Sequence, residues 1–300
     1  MKVAVPPCGA LFAKAPFHRF KDFIDLSKSR FDVLNALLDE LDFHYSLVQF
    51  GENRHFFLSG QSKEKPSIVL AAHYDSVPGS PGANDNASSV FLLIAAALEL
   101  KKMPNQSWLI IFTDKEELTS GESLCAQGSY LLARGLKNID IAEADFFVFD
   151  ACGRGDTLII STATDNLIRG ETGIGAAQLQ ETLRRLHTKA QAAADRIFGT
   201  KHFSMPTPFS DNAGFLRAGL AAGTITLLPE KEALDFARMS RVNSDYAEAL
   251  VNSKFSASVD AAHIPRTWHL INSPDDTIEH LNLEIFPKMI KFAIRLATQR

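Results

Sequence analysis

The sequence predicts an α/β fold, a three-layer sandwich in which a largely parallel central sheet is flanked by helices. Four short apolar runs rich in β-branched and aromatic residues are predicted strands, at residues 67–72, 108–113, 145–149 and 224–228. The runs are continuous rather than alternating, as expected for strands that are buried on both faces. Helical segments separate them, and strands that alternate with helices are typical of a parallel sheet.

The helices are predicted from the spacing of apolar residues. Residues 20–50 carry apolar positions at helical spacing, which suggests one or two amphipathic helices. The apolar stretch 88–101 follows a loop rich in Pro, Gly and Asn, and the Asn and Ser residues at its start are suitable N-caps. Residues 124–135 and 176–198 are predicted helices as well.

The chain is predicted to form one domain over residues 1–300. Three hundred residues with 46% apolar content suffice for a large core. No repeat, low-complexity tract or long flexible linker divides the sequence. We interpret residues 1–66 as N-terminal helices that cover the sheet, and residues 165–209 and 229–268 as insertions that shape a pocket.

Composition argues against large charged partners. The 31 basic and 35 acidic residues leave a formal charge of −4, which gives no electrostatic signature for nucleic acid or an anionic membrane. The longest apolar run, residues 90–98, is about half the length of a membrane span. The first twenty residues lack a sustained apolar segment, so we expect an unsecreted, cytoplasmic protein. Its oligomeric state stays open.

Cysteine usage restricts the kind of metal site that the chain can form. Cys8, Cys125 and Cys152 lie far apart, without a Cys-x-x-Cys pair. Neither a disulfide framework nor a thiolate zinc site is therefore expected. Any bound metal must be held by the nine histidines and 35 carboxylates.

Metal-binding side chains follow three of the predicted strands: His73 and Asp75 the first, Glu116 and Glu117 the second, and Asp150 the third. In open α/β sheets, sites form at the carboxyl ends of the strands. Carboxylates gathered there repel one another and lose hydration, and a divalent cation removes that cost. Imidazole and carboxylate without thiolate favour zinc or a related transition metal over calcium.

Asp85 lies in the loop after the first strand and is the natural bridging carboxylate if two metals share the site. The adjacent Glu116 and Glu117 can divide the work, one as a ligand and the other as the acceptor of a proton from metal-bound water. Taken singly, these residues have simpler explanations. His73 could be a core or surface histidine with its hydrogen bonds satisfied, Glu116 and Glu117 could lie on a solvated surface, and Asp75 could be a turn residue. Their joint occurrence after three strands favours the metal.

The motifs around these residues resemble those of the co-catalytic zinc exopeptidases, peptidase family twenty-eight, which include secreted leucyl aminopeptidases, glutamate carboxypeptidase and glutaminyl cyclases. The segments AAHYDSVPGSPGANDNASSV, IIFTDKEEL and VFDACGRGDTLIIST are similar to the family's first three motifs. SDNAGFLRAGLAAGTITLL and NSPDDTIEHLN resemble the last two, so the resemblance covers about residues 67–285.

The resemblance implies one or two Zn²⁺ ions and a role for each motif residue. One zinc would be held by His73, Asp85 and Asp150, and the other by Asp85, Glu117 and a late histidine. Glu116 would be the general base. Asp75 would stand behind His73, where it can accept the second ring N–H and fix the tautomer.

The sequence departs from the family at the late histidine. Asn272 stands where the family has His, four residues before Asp276, and an amide oxygen is a poor zinc ligand. His269 is the candidate substitute, through a slightly longer turn, and the alternative is a degraded or single-metal site. Asn212 stands where many relatives have a His near the substrate, which leaves specificity open.

These observations predict a zinc-dependent aminopeptidase-type metallopeptidase that hydrolyses a terminal bond of a peptide or aminoacyl substrate. Glu116 takes a proton from metal-bound water and delivers it to the leaving amine. Glutaminyl-peptide cyclisation is the first alternative, although the cyclases generally lose the histidine that is retained here as His73. A non-catalytic scaffold protein with a degraded site is the second, and the intact Glu116–Glu117 pair argues against it. The sequence does not decide whether the amino or the carboxyl terminus is attacked.

Overall fold

The computed structural model describes residues 11–299 except 61, 63, 104–105, 120, 140, 169–170, 244, 247–249 and 251–259. The strands are β1 (Tyr45–Phe50), β2 (Asn53–Ser59), β3 (Ile68–His73), β4 (Trp108–Thr113), β5 (Asp145–Phe149), β6 (Thr157–Ser161), β7 (His202–Met205) and β8 (Ala222–Leu228). They form one mixed sheet in the order β1-β2-β4-β3-β5-β8-β6-β7. The four central strands, β4, β3, β5 and β8, run parallel, whereas β2 pairs antiparallel with β1 and β4, and β6 with β8.

Helices cover both faces of this sheet. They are α1 (Phe20–Phe23), α2 (Arg30–Glu40), α3 (Ser89–Leu100), α4 (Gly128–Lys137), α5 (Ala163–Ile168), α6 (Ile174–Phe198), α7 (Asp211–Arg217), α8 (Glu230–Val242), α9 (Arg266–Leu270) and α10 (Phe286–Ala297). Short 3-10 turns lie at Phe17–Arg19, Leu124–Ala126, Ala261–His263, Ile278–His280 and Leu283–Ile285. Among the residues given above, no helix has the length and apolar character needed to cross a bilayer.

The side chains of each central strand alternate between two apolar layers. Ile68 and Leu70 of β3 belong to the larger layer, which also contains residues of α2, α3, α6 and α10. Val69 and Ala71 point the other way, into a layer shared with α4 and α7. Because both faces are covered, every position of β3, β4 and β5 is buried. The predicted three-layer sandwich with a largely parallel sheet is confirmed.

The predicted strands agree with β3, β4, β5 and β8 within two residues at each end, but four strands were not predicted. Residues 45–50 and 53–59 form a hairpin, so the interpretation of residues 20–50 and 1–66 as purely helical is wrong there. Strand β1 lies at the sheet edge and is only partly buried. Its apolar residues therefore lack the continuous run that identified the central strands. The edge strand β7 is short and mostly not buried for the same reason.

Candidate metal centre

Three adjacent parallel strands bring the predicted site residues together. His73 is the last residue of β3 and pairs in register with Thr113, the last residue of β4. Strand β5 lies on the other side of β3 and ends at Phe149, one residue before Asp150. The side chains that follow these strands therefore meet at one edge of the sheet, as the sequence led us to expect.

His73, Asp85 and Asp150 form the first cluster at this edge. The Nε2 atom of His73 lies 3.0 Å from Oδ1 of Asp85 and 3.8 Å from Oδ1 of Asp150. His73 is fully buried and Asp85 is 4% exposed. One donor atom from each of the three residues lies within 4.8 Å of the other two, a spacing suited to a single shared metal ion.

The loop that carries Asp85 is held by long-range hydrogen bonds. The carboxylate of Asp276 accepts from the backbone N–H of Asn84 at 2.8 Å and from that of Asp85 at 2.9 Å. The side chain of Asn86 donates to the carbonyl of Phe149 and accepts from the N–H of Ala151. Asn86 thus contacts the backbone on both sides of Asp150, which fixes the two carboxylates of the cluster relative to each other.

Asp75 connects His73 to the Glu116–Glu117 pair. Its Oδ1 lies 3.3 Å from Nδ1 of His73. The two carboxylate oxygens also accept from the backbone N–H groups of Glu116, at 3.2 Å, and Glu117, at 3.0 Å. Lys115 takes a left-handed conformation with φ of 55°, uncommon for a residue other than glycine, at the turn that leads into the pair. Asp75 therefore lies behind His73 and also holds the turn after β4 that carries Glu116 and Glu117.

Gln127 is a site residue that the sequence did not reveal. Its Nε2 donates to Oε1 of Glu116 at 3.0 Å and to the carbonyl of Glu116 at 3.2 Å. Gln127 is 3% exposed, and Gly128 beside it packs so closely that a Cβ there would lie 1.8 Å from the carbonyl oxygen of Asp114. The sequence between Glu117 and helix α4, residues 118–127, contains no apolar pattern or motif that would distinguish Gln127.

The gathered carboxylates shift one another's titration. Burial and the nearby charge of Asp150 together raise the pKa of Asp85 to about 7. Burial and repulsion from Asp85 likewise raise the pKa of Glu117 to about 9. Burial alone would lower the pKa of His73, but the carboxylates of Asp150, Asp75 and Asp85 outweigh it and raise that pKa well above its usual value.

The donor set fits zinc. Buried polar atoms without a hydrogen-bond partner are concentrated here: Nε2 of His73, Oδ1 of Asp85, Oδ1 of Asp150 and Oε1 of Glu117. Buried polar atoms are normally hydrogen-bonded, so a group of orphaned donors and acceptors at one point indicates a missing ligand. Imidazole nitrogen and carboxylate oxygen without thiolate are ligands of catalytic zinc sites.

The structure does not bring His269 to this cluster. His269 follows Trp268 on α9, and consecutive residues of a helix point about 100° apart. Trp268 lines the cavity above the cluster, whereas His269 lines a separate cavity that also contains Arg154. Asn272 does line the site cavity, with φ of 59°. The expectation that His269 replaces the late histidine is therefore not met, because α9 directs that imidazole away.

The cavity above the carboxylates has a volume of about 260 Å³. Its floor is acidic, and its apolar wall is formed by Leu118, Leu124, Phe209, Trp268 and Ile271. No Lys or Arg lines it among the residues that the structure describes. Residues from both predicted pocket-shaping segments, 165–209 and 229–268, contribute to this wall.

Asn212 takes no part in the cavity wall. It is fully buried, its Nδ2 donates to Oγ1 of Thr164 at 2.9 Å, and its Oδ1 accepts from the N–H of Ser210 at 2.9 Å. Both polar groups of the Asn212 side chain are thus hydrogen-bonded within the protein, and the residue has a structural role.

The fold and the site define a metallopeptidase centre on a zinc exopeptidase fold. The model of "Peptidase family M28" matches residues 55–297, which is most of the chain. The protein therefore belongs to peptidase family M28, and zinc is implied at the level of that family.

Two curated relatives match shorter segments. The sequence is 54% identical to the aminopeptidase YwaD of Bacillus subtilis (strain 168) over 41 residues, 13% of this chain and 9% of the relative. It is 33% identical to the vacuolar membrane protease of Saccharomyces cerevisiae (strain YJM789) over 76 residues, 24% of this chain and 8% of the relative. Both matches cover less than a tenth of the relatives' own length, so these short segments do not assign the relatives' activities to this chain.

Solved structures share the fold over most of this chain. A Zn-dependent exopeptidase from Parabacteroides distasonis ATCC 8503 has a TM-score of 0.63 at 15% identity and covers 94% of this chain and 96% of its own. A glutaminyl cyclase from Porphyromonas gingivalis has a TM-score of 0.60 at 15% identity, with 93% and 95% coverage. A zinc aminopeptidase from Bacillus subtilis has a TM-score of 0.52 at 21% identity, with 81% of this chain and 48% of that chain covered.

Proposed function

We propose that the protein is a zinc-dependent aminopeptidase, which removes the N-terminal residue of a peptide or aminoacyl substrate. The observation that carries this proposal is the pairing of the His73–Asp85–Asp150 cluster with Glu116 at the floor of one cavity. A metal-binding cluster and a separately held carboxylate are the two parts that metal-assisted hydrolysis requires.

We propose that zinc is held by His73, Asp85 and Asp150, and that Asp85 and Glu117 are the candidate ligands of a second ion. Zinc, when bound, polarises the scissile carbonyl and lowers the pKa of the attacking water. The second position has no late imidazole among the described residues, since Asn272 lines the cavity instead. We therefore expect the position formed by His73, Asp85 and Asp150 to bind zinc more tightly than the second position.

The protein's own residues move and orient the proton. Glu116 accepts a proton from the attacking water and delivers it to the leaving amine. Burial raises the pKa of Glu116 well above its usual value, and repulsion from Glu117 adds to this effect. Such a carboxylate accepts a proton more readily than a solvated one. Gln127 orients the carboxylate, and Asp75 fixes His73 from behind.

The charge of the cavity supports attack at the amino terminus. A carboxypeptidase substrate would place its terminal carboxylate in the cavity, where no Lys or Arg among the described lining residues can pair with it. A terminal ammonium group, in contrast, enters a cavity whose floor carries Asp85, Glu116, Glu117 and Asp150. Attraction of opposite charges therefore favours the amino terminus. The cytoplasmic location and the absence of nucleic-acid or membrane partners remain predictions from composition.

The variant Glu116→Gln tests the proposal. It should lose turnover of an aminoacyl-nitroanilide while its zinc content, measured by metal analysis, stays at the level of the unaltered protein. Glu99→Gln, a change at an exposed residue of α3, is the matched control and should keep full activity. Full activity in Glu116→Gln would contradict the mechanism. Substrates blocked separately at each terminus identify the end attacked: N-acetylation should abolish turnover and C-terminal amidation should not.

Glutaminyl-peptide cyclisation is the second candidate. It is supported by the shared fold of the Porphyromonas gingivalis glutaminyl cyclase and by the incomplete second metal position, since a single zinc suffices for that reaction. Incubation with an N-terminal glutaminyl peptide separates the two activities by mass, because cyclisation releases ammonia and peptidase action releases a residue. A non-catalytic scaffold would bind no zinc and would show neither product.

A further inference from the structure

Arg30 lies outside the metal cluster and contacts four backbone carbonyls of the loop that carries Asp85. Its Nη1 donates to the carbonyls of Tyr74, at 3.2 Å, and Asp75, at 2.9 Å. Its Nη2 donates to the carbonyls of Pro81, at 2.5 Å, and Gly82, at 3.0 Å. One guanidinium thus joins the two ends of the loop, the point where it leaves β3 and the point where it reaches the Asp85 turn.

The surroundings of Arg30 are built to hold the guanidinium in place. Its Cζ lies 4.9 Å from the ring centroid of Phe23, a distance within the range of cation–π contacts. Gly82 has φ of 54°, and a Cβ there would lie 2.5 Å from Nη2 of Arg30 and 2.3 Å from the carbonyl oxygen of Asp85. Glycine is therefore required where the loop passes between the guanidinium and the metal-binding turn.

We propose that Arg30 is a positioning residue that organises the zinc site by holding the loop between His73 and Asp85 through its two-pronged contact with four carbonyls. The inference rests on the zinc site of the proposed function, but not on which reaction that site performs. Outer-shell groups that orient ligands commonly contribute about tenfold to a hundredfold in metal affinity. We expect a contribution of this size from Arg30, although it contacts no ligand atom directly.

The charge of Arg30 and its geometry make opposite predictions, which allows a clear test. A positive charge near a cation site repels zinc, so its removal should strengthen zinc binding if charge alone matters. If the loop contact matters, removal should weaken binding. Lysine keeps the charge but lacks the planar, forked set of donors, so Arg30→Lys should have little effect on the first view and a large effect on the second.

The experiment uses the full chain freed of metal, with zinc as the probe. Zinc dissociation constants are measured by competition with a chelator for the unaltered protein, Arg30→Lys and Arg30→Met. We expect both variants to bind zinc about tenfold to a hundredfold more weakly. Amide hydrogen exchange of residues 74–82 in the metal-free proteins provides a second readout that is independent of activity, and exchange there should be faster in both variants.

Ser29→Ala is the matched control. Ser29 is the N-cap of α2 and accepts from the N–H of Asp32, so its loss weakens the start of the same helix without removing the guanidinium. The control should show a lowered melting temperature with unchanged zinc affinity. Unchanged affinity in Arg30→Lys, or tighter binding in Arg30→Met, would overturn the role of Arg30 alone. Failure of the unaltered protein to bind zinc would overturn the metal site and this role together.

Discussion

Gln127 donates its side-chain amide to the carboxylate of Glu116 at 3.0 Å, while its own carbonyl oxygen accepts from Oγ of Ser129 at 3.1 Å. The second oxygen of Glu116 is then available to the attacking water. Since Ser129 fixes the direction of the amide, Gln127 can present only its NH₂ group to Glu116. The candidate base is thus held in one orientation by the side chain of the residue that immediately precedes α4.

Gln127→Leu should lower kcat with little change in KM or zinc content. The variant removes a hydrogen bond to a charged group, worth about 1.5–3 kcal/mol, which corresponds to roughly a tenfold to hundredfold loss of rate if the bond acts in the transition state. Ser129→Ala removes only the donor to Gln127 and should give a smaller loss. Steady-state kinetics with zinc analysis of the same samples measures both, and an unchanged kcat in Gln127→Leu would contradict the role.

The central sheet and the metal-binding motifs could be predicted because each depends on residues that lie close together in the sequence. Strands β3, β4 and β5 are buried on both faces, which produces continuous apolar runs. The ligands follow those strands directly. The resemblance to a family then supplied the roles of Glu116 and Glu117, which no apolar pattern distinguishes.

The supporting contacts could not be predicted because they join distant parts of the chain. Arg30 reaches a carbonyl 44 residues away, and Asp276 reaches an N–H 191 residues away. No local periodicity encodes such pairs. The prediction for His269 differs from the structure for a related reason. The sequence indicates an imidazole near the site, but the packing of α9 determines which cavity that imidazole lines.

Asp276→Asn should weaken zinc binding and destabilise the fold. Asp276 accepts from the backbone N–H groups of both Asn84 and Asp85, and an amide can accept with only one of its two polar groups. One buried N–H is left unpaired, at a cost of about 1–3 kcal/mol. Denaturant unfolding of the metal-free protein and chelator competition measure the two effects. Equal zinc affinity and equal stability in the variant would show that this contact is dispensable.

His269→Ala should leave zinc stoichiometry and affinity unchanged. The residue lines a cavity separate from that of the carboxylates, so its imidazole is not available to the His73 cluster. Asp150→Ala is the positive control, because it removes a donor of that cluster. Metal analysis after dialysis against a weak chelator should find zinc in His269→Ala and little in Asp150→Ala. Loss of zinc in His269→Ala would restore this histidine as a ligand.

The raised carboxyl pKa values determine how stability depends on pH in the absence of metal. Folding raises the pKa of Asp85 from 3.8 to about 7 and that of Glu117 from 4.5 to about 9, in both cases because of burial. Between the unfolded and folded values, the folded state binds more protons than the unfolded state. The free energy of unfolding must therefore fall as pH rises through this window.

The other titrating groups of the site do not reverse this sign. The raised pKa of His73, which the carboxylates of Asp150, Asp75 and Asp85 maintain against burial, contributes stability that is likewise lost as pH rises. Burial alone would raise the pKa of Asp75 and that of Asp150, but contact with His73 and further hydrogen bonds together outweigh it, so both pKa values are lowered. Their contribution is lost only as pH falls below the ordinary carboxyl range, outside the window set by Asp85 and Glu117.

The melting temperature of the metal-free protein should therefore fall between about pH 5 and pH 9, whereas the increase produced by saturating zinc should grow over the same range. Zinc binds the deprotonated carboxylates and offsets the repulsion that protonation relieves at low pH. Glu117→Gln removes a carboxyl whose pKa burial raises to about 9, so the metal-free melting temperature of the variant should decline less steeply above about pH 7. Differential scanning calorimetry of both proteins, with and without zinc, measures the four curves. Since changes elsewhere in the protein affect both proteins equally, identical slopes would show that Glu117 titrates as an ordinary carboxyl and is not buried beside Asp85 as the structure places it.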